Sequence, residues 1–389
     1  MIFSKYNILA LIASFGIHFA LTAQTPVFVS GTEGFKSFRI PAIVQAGNGD
    51  LLAFSEGRVA GAGDFGDIDI VMKRSKDGGK SWSGIQTVAA YDNLQAGNPA
   101  PVLDLTDPAH PKGRLFLFYN TGNNHENEVR KGNGLREVWY KTSTDAGLTW
   151  SDPVNITLMV HRPNQPKVNP SYNFQEDWRS YANTPGHAMQ FTNGKYKGRI
   201  YVAANHSAGP PKPKSIDYQA HGFYSDDHGK TFKLSETISF GGSNEATAAE
   251  ISGGRLMFNS RNQQGDVRAR IVAVSKNGGI KWDTTYFDHN LPDPICEGSI
   301  LTLENRKTGN ILAFSNAADT KNRDNLTLRI SFDDGKTWTK SYPVDKSKNN
   351  EEDYTAYSDL VKTGKNTIGI LYEFNDYKSI VFKSIDWRK

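Results

Sequence analysis

Three arginines fall where arginine is costly. Arg39 lies in Ser37-Phe38-Arg39-Ile40-Pro41, Arg261 in Ser260-Arg261-Asn262 after the apolar Leu256-Met257-Phe258, and Arg323 just before Asp324-Asn325-Leu326. A guanidinium among strand-forming apolar residues is expensive unless it meets an anion. Taken singly, each would serve a surface salt bridge. Taken together, three planar forks converging from three repeats would hold one carboxylate firmly. Carboxylates for proton transfer stand in two runs. Asp64, Asp67 and Asp69 share Gly63-Asp-Phe-Gly-Asp-Ile-Asp69, and Glu245 and Glu250 share Asn244-Glu-Ala-Thr-Ala-Ala-Glu250. Two tyrosines, Tyr354 and Tyr357, crowd Asp353–Asp359. A phenol with a pKa of about 10 is a weak nucleophile at neutral pH. A neighbouring Glu that takes its proton during attack would activate it. A neutral phenol also suits attack on a cationic carbon that already bears a carboxylate, where a carboxylate nucleophile would be repelled.

The elements that must position these groups are written as a repeat. Five copies of Ser-x-Asp-x-Gly-x-Thr-Trp and close variants begin at Ser75, Ser143, Ser225, Ser275 and Ser331. Each follows a β-rich run such as Ile68–Met72 or Leu326–Ile330. Each reads as a hairpin turn: the Asx side chain accepts backbone N–H bonds, Gly permits positive φ, and the aromatic ring packs back onto the sheet. Phe232 replaces Trp in the third copy and Asn277 replaces Asp in the fourth, which weakens those turns slightly. These boxes report fold rather than chemistry. Repeats of this size predict an all-β, six-bladed β-propeller. Its last blade would be closed by residues 354–386 together with the start of the mature chain. The Asn- and Pro-rich region 161–185 and Gly209–Lys214 read as long loops on one face, where functional residues are usually carried.

Composition narrows the setting. The apolar run Ile8–Ala23 after a short polar start predicts a secretory signal peptide over residues 1–23, and one catalytic domain over 24–389. The expected destination is the periplasm or the medium of a bacterium, with no stable membrane span in the mature chain. Cys296 is the single cysteine, so stability must come from core burial and not from intrachain disulfides. A net charge of +4 over 389 residues, with no basic block interleaved with aromatics, argues against a nucleic-acid partner. His125, His187, His206 and His221 show no ligand spacing, and neither a metal nor any other cofactor is called for.

Phe38-Arg39-Ile40-Pro41 together with the five boxes resembles the exo-α-sialidase (neuraminidase) family of six-bladed propellers, glycoside hydrolase family 33, along the whole mature chain. The resemblance implies that Arg39, Arg261 and Arg323 bind the carboxylate of a terminal sialic acid on a sialylated glycan. It implies Tyr357, in Ala356-Tyr-Ser-Asp-Leu360, as the nucleophile in preference to Tyr354, and Glu245 as its base, leaving Glu250 structural. Asp64 takes the place of the acid/base, with Asp67 as runner-up. Ser55-Glu56-Gly57-Arg58 resembles the segment whose arginine faces the 4-hydroxyl of the sugar, and Glu373 resembles the carboxylate that orients the first arginine. The implied reaction is hydrolysis with retention through a tyrosyl intermediate; a tyrosine nucleophile is the known exception to the two-carboxylate rule. The rival readings are a non-catalytic sialic acid-binding propeller, which would lack Tyr357, Glu245 or Asp64, and a transferase or anhydro-product enzyme of the same fold.

Overall fold

The computed structural model describes residues 24–349 and 351–389, and within them strands dominate. The proposed signal peptide, residues 1–23, lies outside the described residues. Strands Ser243–Ile251, Arg255–Asn262, Ala269–Ser275 and Thr284–Pro292 form one antiparallel four-stranded sheet. Gly298–Glu304, Ile311–Ala317, Leu326–Ser331 and Lys340–Asp345 form another. Trp178–Asn183, Ile200–Ala208, Tyr218–Ser225 and Lys233–Leu234 form a third, with Met189–Gln190 paired beside them. The N-terminal strand Thr25–Val29 pairs with Ser379–Asp386 and so completes the sheet of Thr355–Lys362 and Thr367–Phe374. That is the closure expected from sequence.

Among the described residues the hydrogen bonding gives five sheets, not six separate ones. The fifth has eight strands, running from Ser37–Gln45 to Val154–Asn155. It consists of two antiparallel runs joined through one parallel pair, Ile68 with Gln95. The inner strands nevertheless follow one another in a ring. Ser37–Gln45 touches Gln95–Asp104, then come Met189–Gln190, Ser243–Ile251, Gly298–Glu304 and Thr355–Lys362, which returns to Ser37–Gln45. The arrangement is propeller-like.

The boxes form the expected turns and also join the sheets. In the first, Ser75 Oγ accepts from Gly79 N at 2.8 Å and Asp77 Oδ1 accepts from Ser81 N at 3.0 Å. Asn277 keeps the same backbone bond, from Lys281 N at 3.0 Å. Gly79 has φ +92°, and a Cβ there would strike Phe382 of the last sheet. Gly229, φ +78°, meets Phe116 of the preceding sheet in the same way. Glycine is thus required twice over, by the left-handed turn and by close approach. The rings do not all pack onto their own sheet: Trp82 reaches Phe382 and Phe232 reaches Phe118, each on a neighbour.

Candidate active site

Four of the inner strands change register near one end of the ring. The shifts fall between Arg39 and Ala42, Gly97 and Ala100, Ser243 and Ala246, and Thr355 and Ser358. A bulge inserts an unpaired residue and re-aims its side chain. Arg39, Asn98, Glu245 and Tyr357 all sit at these breaks. Ile40 and Asn98 have φ of +60° and +56°. Positive φ at a β-branched residue is strained. At Ile40 the strain is held by a hydrogen bond from its N–H to Glu373 Oε1, 2.9 Å, and Pro41, which has no N–H to pair, follows the break.

Glu373, 1 % exposed, is the hub of one side. Its carboxylate accepts from Arg39 Nε at 2.6 Å, from Arg39 Nη2 at 3.4 Å and from the Tyr357 backbone N–H at 3.1 Å. One buried carboxylate therefore sets both an arginine and the strand that carries a tyrosine. Arg39 also lies over the Tyr377 ring, 3.9 Å from its centroid. Across the cleft the Tyr357 hydroxyl donates to Glu245, 2.6 Å and 2.7 Å from its two oxygens, and accepts from Arg261 Nη1 at 2.8 Å. Arg261 pairs with Glu245 at 2.5 Å and is held from its other edge by Gln263. Arg323 comes from a loop before its strand, not from a strand start. Its guanidinium lies 5.5 Å from the Tyr357 ring centroid, and it donates to Ile295 O at 3.2 Å and Tyr377 Oη at 3.3 Å. Three cations thus surround one phenol.

Burial pushes the Tyr357 hydroxyl well above its usual range, Glu245 pushes it further, and Arg261 and Arg323 only partly oppose them. The group is a neutral phenol hydrogen-bonded to a carboxylate, which is the pairing an activated hydroxyl nucleophile needs.

Arg58 is buried against Glu56, with Nη2 to Oε2 at 2.6 Å, and reaches Asp64 Oδ1 at 2.8 Å. Glu56, 1 % exposed, also accepts from Asn98 N at 2.9 Å. The Asp64 side chain is 73 % exposed and projects from its loop into the cleft. Desolvation in the cleft raises its pKa, but Arg58 and then Arg39 outweigh it, leaving the carboxyl below the usual carboxylate range. Asp67 and Asp69 do not line this cleft. Burial and Asp67 push Asp69 up to about 6.

All eight residues singled out from sequence are accounted for. Asp64, Glu245, Tyr357, Arg39, Arg58, Arg261 and Arg323 line one cleft of about 910 Å³, and Glu373 stands behind it. Glu250 faces the other end of its strand, accepting from Thr192 N and Oγ1, both at 2.8 Å. Tyr354 packs on Phe374 outside the cleft. Among the described residues, the group with metal-ligand spacing is Asp104, Asp107 and His228, which lies away from the cleft with Arg114 on Asp107.

Sequence reasoning missed the far wall: Gln95, Asn98, Asn120, Glu126, Arg136 and Tyr218 also line the cleft. It also missed Glu56, whose signal was a carboxylate two residues from Arg58 inside an otherwise apolar strand, and Tyr377, for which the sequence offers none.

A BNR repeat-like domain family model matches residues 49–370. The chain is 33 % identical over 372 residues to a sialidase of Micromonospora viridifaciens, covering 91 % of this chain and 52 % of that protein. It is 30 % identical over 385 residues to an exo-alpha-sialidase of Aspergillus fumigatus, covering 92 % and 84 %. The chain therefore spans about half the length of the Micromonospora relative, and 61 % of a Bacteroides fragilis sialidase that it matches at 28 % identity. In fold it is similar to the Hadza microbial sialidase Hz136, with a TM-score of 0.76 at 24 % identity over 94 % of this chain and 68 % of that one. With its repeats, its ring of sheets and its arginine-lined cleft set beside these likenesses, the chain belongs to the sialidase family of BNR repeat-like proteins.

Proposed function

We propose that the protein is a retaining exo-α-sialidase that hydrolyses terminal α-linked sialic acids from glycoproteins, glycolipids and oligosaccharides. The observation that carries this reading is the Tyr357 hydroxyl held between Glu245 and Arg261, beside Arg39 and Arg323. Arg39, Arg261 and Arg323 would bind the sugar carboxylate, and Arg58 would face the ring hydroxyls. In the first step the Tyr357 oxygen bonds to the anomeric carbon, its proton passes to Glu245, and the glycosidic oxygen leaves with the proton of Asp64. In the second, water bonds to the same carbon, gives its proton to Asp64, and the tyrosyl oxygen departs and recovers its proton from Glu245. Two inversions give net retention. Asp64 must first be protonated. A substrate carboxylate on the arginines would offset the positive field that holds its pKa down.

The same reading takes the eight-stranded sheet as two blades, making six. It takes residues 1–23 as a signal peptide and 24–389 as the catalytic domain of a secreted or periplasmic bacterial enzyme. Support comes from the single Ile68–Gln95 link and the six inner strands in a ring. The test is release of free sialic acid from a fluorogenic sialoside, with NMR of the first-formed anomer. The α anomer, followed by mutarotation, is expected. No release, or the β anomer first, overturns the proposal.

A further inference from the structure

Glu297 is a buried carboxyl that the mechanism above does not use. It is 1 % exposed and stands just before the inner strand Gly298–Glu304. Its Oε2 accepts from the Ser358 backbone N–H at 3.0 Å, and its Oε1 has no hydrogen-bond partner among the described residues. Arg270, the cation whose field partly offsets its burial, is committed elsewhere: to Asn259 Oδ1 at 2.7 Å, Asp293 Oδ2 at 3.5 Å and the Cys296 carbonyl. Burial, and then the negative charges of Asp359 and Glu245, push the Glu297 pKa well above the ordinary glutamate range. An ionised carboxylate so placed is expensive, and the neutral acid is not.

The one bond it makes falls on the strand of the nucleophile. Thr355–Lys362 is the inner edge of its sheet, paired only with Thr367–Phe374 among the described residues, so the N–H groups on its free side need partners from outside the sheet. Ser358 N donates to Glu297, and Leu360 N donates to Ser299 Oγ at 3.2 Å. At the register break the Tyr357 N–H goes to Glu373. Consecutive N–H groups, those of Tyr357 and Ser358, are thus held by carboxyl groups from two different sheets. One is ionised against Arg39 and the other faces no paired cation. The two residues before Glu297 reach the same phenol and its neighbour. Cys296 packs in one apolar cluster with Ile40, Ala356 and Tyr357, and Ile295, at φ +65°, offers its carbonyl to Arg323 at 3.2 Å.

We infer that Glu297 is a positioning residue of the reaction, gripping the N–H after Tyr357 as Glu373 grips that of Tyr357 itself, so that the phenol is aimed from both flanks. Two anchors on consecutive peptide groups fix the rotation of the strand about its own axis, which one anchor leaves free. Aim matters because a displacement of about 1 Å at a reacting atom can cost about a hundredfold in rate. The three arginines are held by Glu373, Gln263 and the Ile295 carbonyl, so binding of a substrate carboxylate does not pass through the Glu297 side chain. The role rests on the reading of Tyr357 as nucleophile.

The test compares Glu297→Gln, which keeps the length and the acceptor without a charge, with Glu297→Asp, whose carboxyl stops one methylene short of the Ser358 N–H. Glu297→Gln is expected to hold kcat within about twofold of wild type. Glu297→Asp should lower kcat about tenfold or more, while KM and the affinity of a sialic acid-like inhibitor stay within about twofold. Wild-type kcat in Glu297→Asp, an equal fall in Glu297→Gln, or a loss carried by KM and inhibitor affinity overturns the role. A second readout needs no substrate. The pKa is higher in the folded chain than in the unfolded one, so the unfolded chain releases its proton first and wild-type stability falls as pH rises. Glu297→Gln lacks this fall, and the comparison cancels every other titrating group. Its melting temperature should therefore gain on wild type between about pH 5 and about pH 8, and a constant gap overturns the neutral clamp. Should Glu297→Asp not fold, a fall of kcat in Glu297→Gln or a constant gap still overturns it. Absence of wild-type turnover refutes the hydrolase reading instead, and the melting-temperature gap alone then decides the Glu297 clamp.

Discussion

Replacing Tyr357 with Phe removes one oxygen and leaves almost everything else in place. That oxygen donates to Glu245 at 2.6 Å and accepts from Arg261 at 2.8 Å. The Arg261–Glu245 pair at 2.5 Å does not pass through it, nor does the Glu373–Arg39 pair at 2.6 Å. The Tyr357 backbone N–H stays on Glu373. The arginines therefore keep their positions, and a sialic acid-like inhibitor loses at most one hydrogen bond's worth of organisation. That is about 1 kcal/mol, or less than about fivefold in affinity. Turnover has no such reserve. Without the nucleophilic oxygen no covalent intermediate forms, and a fall in kcat of a hundredfold or more corresponds to at least about 2.7 kcal/mol of barrier. The assay is steady-state hydrolysis beside inhibitor titration, with Tyr354→Phe as the control because that side chain packs on Phe374 outside the cleft. A fluorinated sialic acid that traps the intermediate should label Tyr357 in peptide mapping. Wild-type turnover in Tyr357→Phe, or the label on Tyr354, would refute the nucleophile assignment.

Glu373→Gln should lower both inhibitor affinity and thermal stability, since it leaves the Arg39 charge buried without its partner. Breaking such a pair costs about 3–5 kcal/mol, read by chemical denaturation, and unchanged stability would contradict the pairing. Arg58→Met removes the nearest cation from Asp64, so the carboxyl rises toward its ordinary value. Activity that needs protonated Asp64 falls as pH rises through that value, so the descending limb of kcat/KM should move to higher pH, and a limb that stays or moves lower counts against Asp64 as the acid. His161, His206 and His221 are buried together behind Tyr181, and desolvation holds all three below the ordinary imidazole value, with His221 at about 3. The unfolded chain then binds more protons below pH 6.5, so stability should fall on acidification, by about 1.4 kcal/mol for His221 alone at pH 5.5. Thermal melts from pH 7.5 to 5.5 test this, and His221→Asn should flatten the slope.

Arg39 and Arg261 were legible because a charged residue inside a strand-forming run breaks a local rule, and such breaks mark sites; Tyr357 was set apart from Tyr354 only by its resemblance to a family motif, since tyrosine is at home in strands. The boxes were legible because turn chemistry is local. Glu56 and Arg136 were not, since their meaning depends on Gly97 and Gly122 on neighbouring strands leaving room for them. Tyr377 lies in a turn where Asn375, Asp376 and Tyr377 all have positive φ, so its ring reaches Arg39 through a backbone path the sequence does not announce. The hydrogen-bonded sheets do not match the expected blades one to one, for a similar reason. One parallel pair, Ile68 with Gln95, is enough to merge two antiparallel runs into a single hydrogen-bonded sheet.

The register breaks explain why the site lies at one end of the ring. A regular inner strand alternates its side chains between two faces, so it cannot turn consecutive residues toward the axis. The break at Thr355–Ser358 frees the Tyr357 N–H for Glu373, and the break at Arg39–Ala42 frees the Ile40 N–H for the same carboxylate. Below the breaks the ladder resumes, and Asp359, two residues after Tyr357, ties the strands together. It accepts from Ile43 N at 2.8 Å and Ser299 Oγ at 2.8 Å and pairs with His187 at 2.7 Å. Ile43 and Ser299 belong to two other inner strands, and His187 lies just before the inner strand Met189–Gln190. The irregular level is thus clamped from beneath by one buried carboxylate and from behind by another. A cleft of charged side chains keeps a fixed geometry because the backbone that departs from the ladder is paired to side chains instead, and few of its polar groups are left to water.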